Sequence, residues 1–231
     1  MTMTPTTITM TAEANLLRLL TLLSPAFPVG AFGYSHGLET AIREGMVTDR
    51  ETLCAWISGL IEHGGGWSDA VLFKAAWEAA DDAPALGDLA DLAAAMPASL
   101  ERRRETLGQG EAFLTAAGAW GPVPLSGAAA YPVAVGAVCG QAAIALDPAL
   151  TAWLHAFAAN LVSVAVRAIP IGQIDGVAAI AVGSSAVSHA ALNSTASLQA
   201  PPCSIRPEIQ SVRVPASVTM PSRIAVSSPC E

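Results

Sequence analysis

The side chains best able to do chemistry in this chain are four histidines (His36, His63, His155 and His189) and four cysteines (Cys54, Cys139, Cys203 and Cys230). They are scattered: no two cysteines form a CxxC pair, and none sits with metal-knuckle spacing. His36 and Glu39, three apart, would share one helix face, but two ligands alone make a poor transition-metal site. His155 lies in an apolar run, which suits a core or interface histidine. The chain carries no GxxxxGK[ST] phosphate loop, no HExxH and no GxSxG. What remains suits recognition better than catalysis. Phe27-Pro28-Val29-Gly30-Ala31-Phe32 reads either as a docking loop or as a corner whose rings fill the core. Tyr34, Ser35, His36 and Glu39 open a short helix, where Tyr34 or Ser35 can cap. Arg102, Arg103 and Arg104, between Glu101 and Glu105, form either a solvated helix face or a basic patch for an acidic partner. Gln173 and Asp175 follow Pro170 and Gly172, as caps or as a surface.

The charge balance sets the first exclusions. Eleven basic residues face 19 acidic ones, a formal net charge of −8, and charged residues make up 13% of the chain. Soluble domains average about 25% charged. An acidic surface does not suit nucleic acid or anionic lipid. Hydrophobic residues reach 52%, enough for a sizeable core. No Lys or Arg precedes Arg18, so a secretory leader is not expected, and the protein is expected to be cytoplasmic with reduced thiols. No formal charge occurs between Glu111 and Asp147, but that stretch holds three prolines and five glycines. The apolar run 150–166 carries His155 and Asn160 and is closed by Arg167. An Ala-rich buried core is therefore expected, not a membrane span.

The elements that must position these residues read as helices. The expected fold is all-α: a single-domain bundle of eight to ten helices over 12–190, with a flexible leader over 1–11 and an irregular tail over 191–231. Leu16, Leu19, Leu20 and Leu23 form an i, i+3, i+4, i+7 stripe over 12–23. A second helix is expected over 34–44, closed by Gly45. Thr48 and Glu51 make a capping box for a third that runs to His63 and ends at Gly64-Gly65-Gly66. Its inward face is Leu53, Trp56, Ile57, Leu60 and Ile61. Ser68 caps the next, to about 80, with Val71, Leu72, Ala75 and Ala76 inward. Further helices are expected over 86–96, with Leu86, Leu89, Leu92 and Ala93 inward, and from Ser99, with Leu100, Leu107, Phe113 and Leu114 inward and residues 101–105 outward. Helices over 128–144 and 148–167 form the core, and a weaker one runs over 173–190. No stretch alternates with strand period, and the Val-rich runs 133–138 and 162–166 are flanked by enough alanine to favour helix.

Three separated segments share a pattern. Leu22-Leu23-Ser24-Pro25-Ala26-Phe27-Pro28-Val29-Gly30-Ala31-Phe32-Gly33-Tyr34-Ser35-His36-Gly37-Leu38-Glu39 resembles the opening signature of the urease accessory protein UreF family. Arg104-Glu105-Thr106-Leu107-Gly108-Gln109-Gly110 is similar to that family's central Arg/Glu…Gln-Gly helix. Ala165-Val166-Arg167-Ala168-Ile169-Pro170-Ile171-Gly172-Gln173-Ile174-Asp175-Gly176 resembles its Arg-x-x-Pro-Leu-Gly-Gln-x-Asp-Gly segment. Order and spacing agree over about residues 14–180. The resemblance implies an all-α protein that is not an enzyme, dimerises, and binds UreD (UreH in some organisms). That complex would recruit the GTPase UreG and deliver nickel to the urease apoprotein. Nickel is then cargo, with no resident cofactor. The matched residues Phe32, Tyr34, Ser35, His36, Glu39, Arg104, Glu105, Gln109, Gln173 and Asp175, with Arg103 of the basic patch, become the partner-binding set. The competing reading is a direct metallochaperone that holds nickel through His and Cys.

The tail departs from the family, which ends close to Arg-His-Glu-Thr-Gln-Tyr-(Ser/Thr)-Arg-Leu-Phe. One permitted codon choice for residues 217–228, read two bases later, encodes Arg-His-Asp-Ala-Gln-Pro-Tyr-Ser-Arg-Leu-Phe. The tail thus reads as out of frame. Resequencing the 3′ end of the gene is expected to reveal the shift; a clean read in the present frame would refute it.

Overall fold

A computed structural model describes residues 11–30, 34–125 and 127–181, and all of them lie in one compact unit. Residues 1–10 of the expected leader, Phe32, the end of the last expected helix (182–190) and the expected tail (191–231) lie outside the described residues. Eight α-helices are seen among the described residues: α1 (Ala12–Leu22), α2 (Leu38–Arg43), α3 (Arg50–His63), α4 (Gly65–Glu78), α5 (Ala83–Ala95), α6 (Leu100–Ala117), α7 (Tyr131–Gln141) and α8 (Leu146–Ala168). A 3₁₀ turn, Gly118–Trp120, follows α6, and 173–181 is again helical. No strand occurs among the described residues, and both Val-rich runs are helical.

The centre is α7. Eight consecutive residues, Pro132 to Cys139, are buried, as expected of a helix that is apolar all round. It packs chiefly on α4 and α6, while α8 covers α2, α3 and α4. Two glycines one turn apart, Gly136 and Gly140, let α7 lie against α4 backbone to backbone. A Cβ at Gly136 would collide with the Phe73 carbonyl, and one at Gly140 would stand 2.5 Å from the Trp77 carbonyl oxygen. Gly110 does the same for α6, where a Cβ would strike the Ala129 carbonyl. Hydrogen bonds secure both seams. The Trp77 indole N–H donates to the Ile144 carbonyl at 2.8 Å, and the Tyr131 amide donates to Thr106 Oγ1 at 3.2 Å. A row of ring contacts then ties five elements together. Phe27 meets Phe113 at 5.4 Å, Phe113 meets Tyr131 at 5.7 Å, Tyr131 meets Trp153 at 4.9 Å and Trp153 meets Phe73 at 5.7 Å. Phe27 is thus a core ring.

Several local expectations are corrected. The capping box of α3 is Asp49 with Thr52, since the Asp49 carboxylate is the stronger acceptor for the Thr52 amide, at 2.9 Å. Of the three glycines, only Gly64 ends α3; Gly65 and Gly66 already belong to α4, whose N-cap is Gly64 and not Ser68. Any Cβ at Gly66 would press on the Leu60 carbonyl oxygen at 2.9 Å and on Phe157 at 3.2 Å. On α4 the buried face includes Asp69, Phe73 and Ala76, with Val71 and Ala75 only half-buried. The α7 helix is shorter than 128–144 because Ala143 takes a left-handed φ of 52° just past its end. Leu92 and Leu100 point outward, 55% and 58% exposed. On α1 the inward residues are Leu19 and Leu22, while Leu16, Leu17 and Leu20 stand in water. By length and composition α8 would be apolar enough to cross a membrane, but nine of its residues are buried against the other helices.

Replacing Gly136 with alanine is expected to destabilise the chain by about 3 kcal/mol, the upper range for overpacking a filled core. Gly59→Ala, on an exposed face of α3 with nothing within 4 Å, is expected to stabilise by about 0.5–1 kcal/mol. Urea denaturation of the two variants checks both signs.

Candidate functional site

The site grows from the turn ahead of α2. His36 and Gly37 both take left-handed backbone, at φ 50° and 81°, and this double turn swings the chain into α2. Gly37 is the N-cap, so neither Tyr34 nor Ser35 caps the helix. His36 therefore precedes α2 and shares no face with Glu39. Its ring turns inward, edge-on to Tyr34 and to Phe157, both at 4.7 Å. A Cβ on Gly65 would stand 3.3 Å from His36 Nδ1, so glycine there leaves the ring its place. Burial, reinforced by the nearby Arg102 charge, lowers the His36 pKa to about 3. The imidazole is thus neutral at pH 7.

Arg102 comes from the first turn of α6. Its side chain bends inward, 2.5 Å from Asp69 Oδ2 on α4, with its guanidinium 5.2 Å from the Tyr34 ring centroid. The expected outward face of 101–105 is thus broken at Arg102. Burial pushes the Asp69 carboxyl up, with the Arg102 charge and hydrogen bond opposing. One and two turns further along α6, Thr106 and Gln109 are buried, and the Gln109 amide donates to Glu105 Oε1 at 2.6 Å. Tyr131, whose phenol burial holds well above the ordinary range, completes the group.

Tyr34, His36, Asp69, Arg102, Gln109 and Tyr131 line one groove of 770 Å³ bounded by α1 and α8. Leu16, Leu20 and Val29 stand on one side; Ala152, His155, Ala156 and Phe157 stand on the other. Of the residues expected to bind partners, Tyr34, His36 and Gln109 meet here. Glu105 reaches the group only as the acceptor from Gln109, and Ser35, Glu39, Arg103, Arg104, Gln173 and Asp175 are not in the groove's lining. Ser35 Oγ donates to exposed Glu39 at 3.2 Å. Arg103 is exposed and donates through Nε to the Ala94 carbonyl at 2.8 Å, closing the end of α5. Arg104 is exposed. Gln173 borders a separate cleft of 330 Å³ with Arg167. Asp175 Oδ2 accepts from the Gly172 amide at 3.3 Å, the cap-like role, and Oδ1 lies 3.6 Å from Arg50. Among the described residues no three His, Cys, Asp or Glu side chains are grouped to hold a metal ion.

Asp69 and Tyr131 were not among the expected site residues, and Arg102 was expected only on a solvated face or basic patch. A signal for Arg102 was present: positions 102, 106, 109 and 113 repeat with helical period and end on buried Phe113. Asp69 likewise stands four residues before buried Phe73.

The His36 shift sets a pH dependence. Between pH 6.5 and about 3 the unfolded chain binds a proton that the folded chain does not, so stability falls as pH falls through that window. Asp69, shifted upward, acts in the opposite sense. His36→Asn, which tolerates the left-handed turn, is expected to lose about 2 kcal/mol less than the unsubstituted chain between pH 6.5 and about 4.5. Urea midpoints at the two pH values measure the difference; equal losses would refute it.

Residues 47–182 match the family model described as UreF. Among curated relatives, the urease accessory protein UreF of Mesorhizobium japonicum is 49% identical over 170 residues, covering 72% of this chain and 76% of that protein. Its namesake in Sinorhizobium medicae is 51% identical with the same coverage. That of Rhizobium etli is 44% identical over 211 residues, covering 86% of this chain and 95% of the relative.

Proposed function

Because the chain belongs to the UreF family of urease accessory proteins, we propose that it is a non-catalytic scaffold of urease maturation. In this reading it binds UreD (UreH), the pair recruits the GTPase UreG, and the assembly passes nickel to the urease apoprotein as cargo. The chain works in the cytoplasm, as a homodimer, and performs no bond chemistry of its own.

One observation carries this reading. The first two family-like segments, far apart in sequence, meet at a single groove through Tyr34, His36 and Gln109. The groups gathered there, with Asp69, Arg102 and Tyr131 supplied from outside those segments, suit recognition: a neutral imidazole, a carboxylate already paired with a guanidinium, and a phenol held protonated. Burial holds the imidazole below, and the phenol above, the range in which a general base works at neutral pH. Around them the groove is apolar, as a surface that closes on another protein should be at its centre.

The test is co-expression with UreD and UreG of the same organism, with pull-down on one member. A ternary complex, together with restored urease activity in a strain lacking its own family member, is the expected result. Absence of both, or tight nickel binding by the isolated chain, would overturn the scaffold reading in favour of another role.

A further inference from the structure

We propose that the groove between α1 and α8 receives an uncharged apolar peptide segment of a partner protein, one amide of which is bound by Arg102, Asp69 and Gln109. The proposal rests on the scaffold reading above and names what its docking surface accepts.

The floor selects for charge. Asp69 and Arg102 neutralise each other across 2.5 Å, so the buried floor offers no net charge, and the other acidic residue of the lining, Asp147, stands exposed at the start of α8. An ion reaching that floor would lose its hydration without gaining a counter-ion. An amide loses less, because the floor offers it both halves of a hydrogen-bonding pair. Arg102 has five N–H donors, and its bond to Asp69 uses one Nη2. Asp69 and the Gln109 side-chain carbonyl supply acceptors, and both residues are only 9% exposed. A neutral dipole with a donor and an acceptor is therefore the complementary group.

The walls select for size. At 770 Å³ the groove itself would hold a small molecule. The apolar surface does not stop at its mouth, however. Leu16 and Leu20 on its α1 wall are still 56% and 63% exposed, and Leu17, outside the lining, is 63% exposed, so apolar surface runs on past the wall along one turn of α1. A small ligand held in the groove would leave Leu17 and the outer sides of Leu16 and Leu20 in water. A peptide with several apolar side chains covers them and completes the packing of α1, which buries only Leu19 and Leu22. Ala152 and Ala156 on the α8 wall are small enough for a peptide backbone to approach closely.

The test uses the complex with UreD and UreG. Ala156→Trp fills the groove from a partly exposed position. It is expected to weaken the complex at least about tenfold, with an unchanged melting curve for the chain alone. Leu92→Asp, on the separate exposed α5–α6 corner, is expected to change affinity by less than about twofold. A benzoylphenylalanine placed at Leu20 is expected to crosslink, on illumination, to an apolar segment of UreD or UreG located by mass spectrometry. Full affinity with Ala156→Trp, or a crosslink only to a second copy of this chain, would overturn the proposal while leaving the scaffold reading intact. No complex with the unsubstituted chain would defeat the scaffold reading and remove the proposed occupant with it.

Discussion

The contact on which the rest of the molecule depends is the backbone-to-backbone approach of α4 and α7. It exists because two residues one turn apart on α7, Gly136 and Gly140, have no side chain to hold the carbonyls of Phe73 and Trp77 away. Close packing brings many weak dispersion contacts into range at once, and it does so along the most buried helix of the chain. The spacing of α7 then sets that of α6, through Gly110 against Ala129 and through the Thr106 hydroxyl at the start of α7. It sets that of α8 too, through the Tyr131–Trp153 ring contact.

The polar group at the groove follows from this geometry. Asp69 on α4 and Arg102 on α6 can meet only because α7 holds their helices at the required distance. A buried ion pair adds little net stability over an apolar substitute. Its contribution here is positional: it fixes the first turn of α6 against α4 and gives Tyr34 a cation to rest on. Tyr34 in turn holds the His36 ring against Phe157. The family-like segment ahead of α2 is thus anchored through side chains, with little regular backbone structure of its own.

Much of this was legible in the residues, and the misses have physical causes. Helix positions followed the 3.6-residue period and the Pro and Gly breaks, and the valine runs of α7 and α8 read correctly as helix. The box at α3 slipped by one residue because Thr48 and Asp49 are both good caps and the carboxylate wins. Periodicity says which residues share a face, but not what covers it. Leu16 and Leu20 share a face that no described residue covers, and Leu92 behaves alike. Arg102 was read as outward for the converse reason. A search for inward residues weighted toward leucine passes over an arginine whose charge is cancelled from another helix. Asp69 could supply that charge only once folding had brought position 69 to position 102, and no local pattern records that meeting.

Cys139 sits on α7 among the fully buried residues, one position before Gly140. Burial raises its thiol pKa to about 12, so at neutral pH almost none of it is thiolate, the reactive form. Cys54, half-buried on α3, is the more accessible of the two thiols among the described residues. The same packing that lets α7 touch α4 therefore makes Cys139 a built-in clock. An alkylating reagent can reach it only when the centre of the bundle opens, so its labelling rate reports how often the whole fold comes apart, whatever the surface is doing.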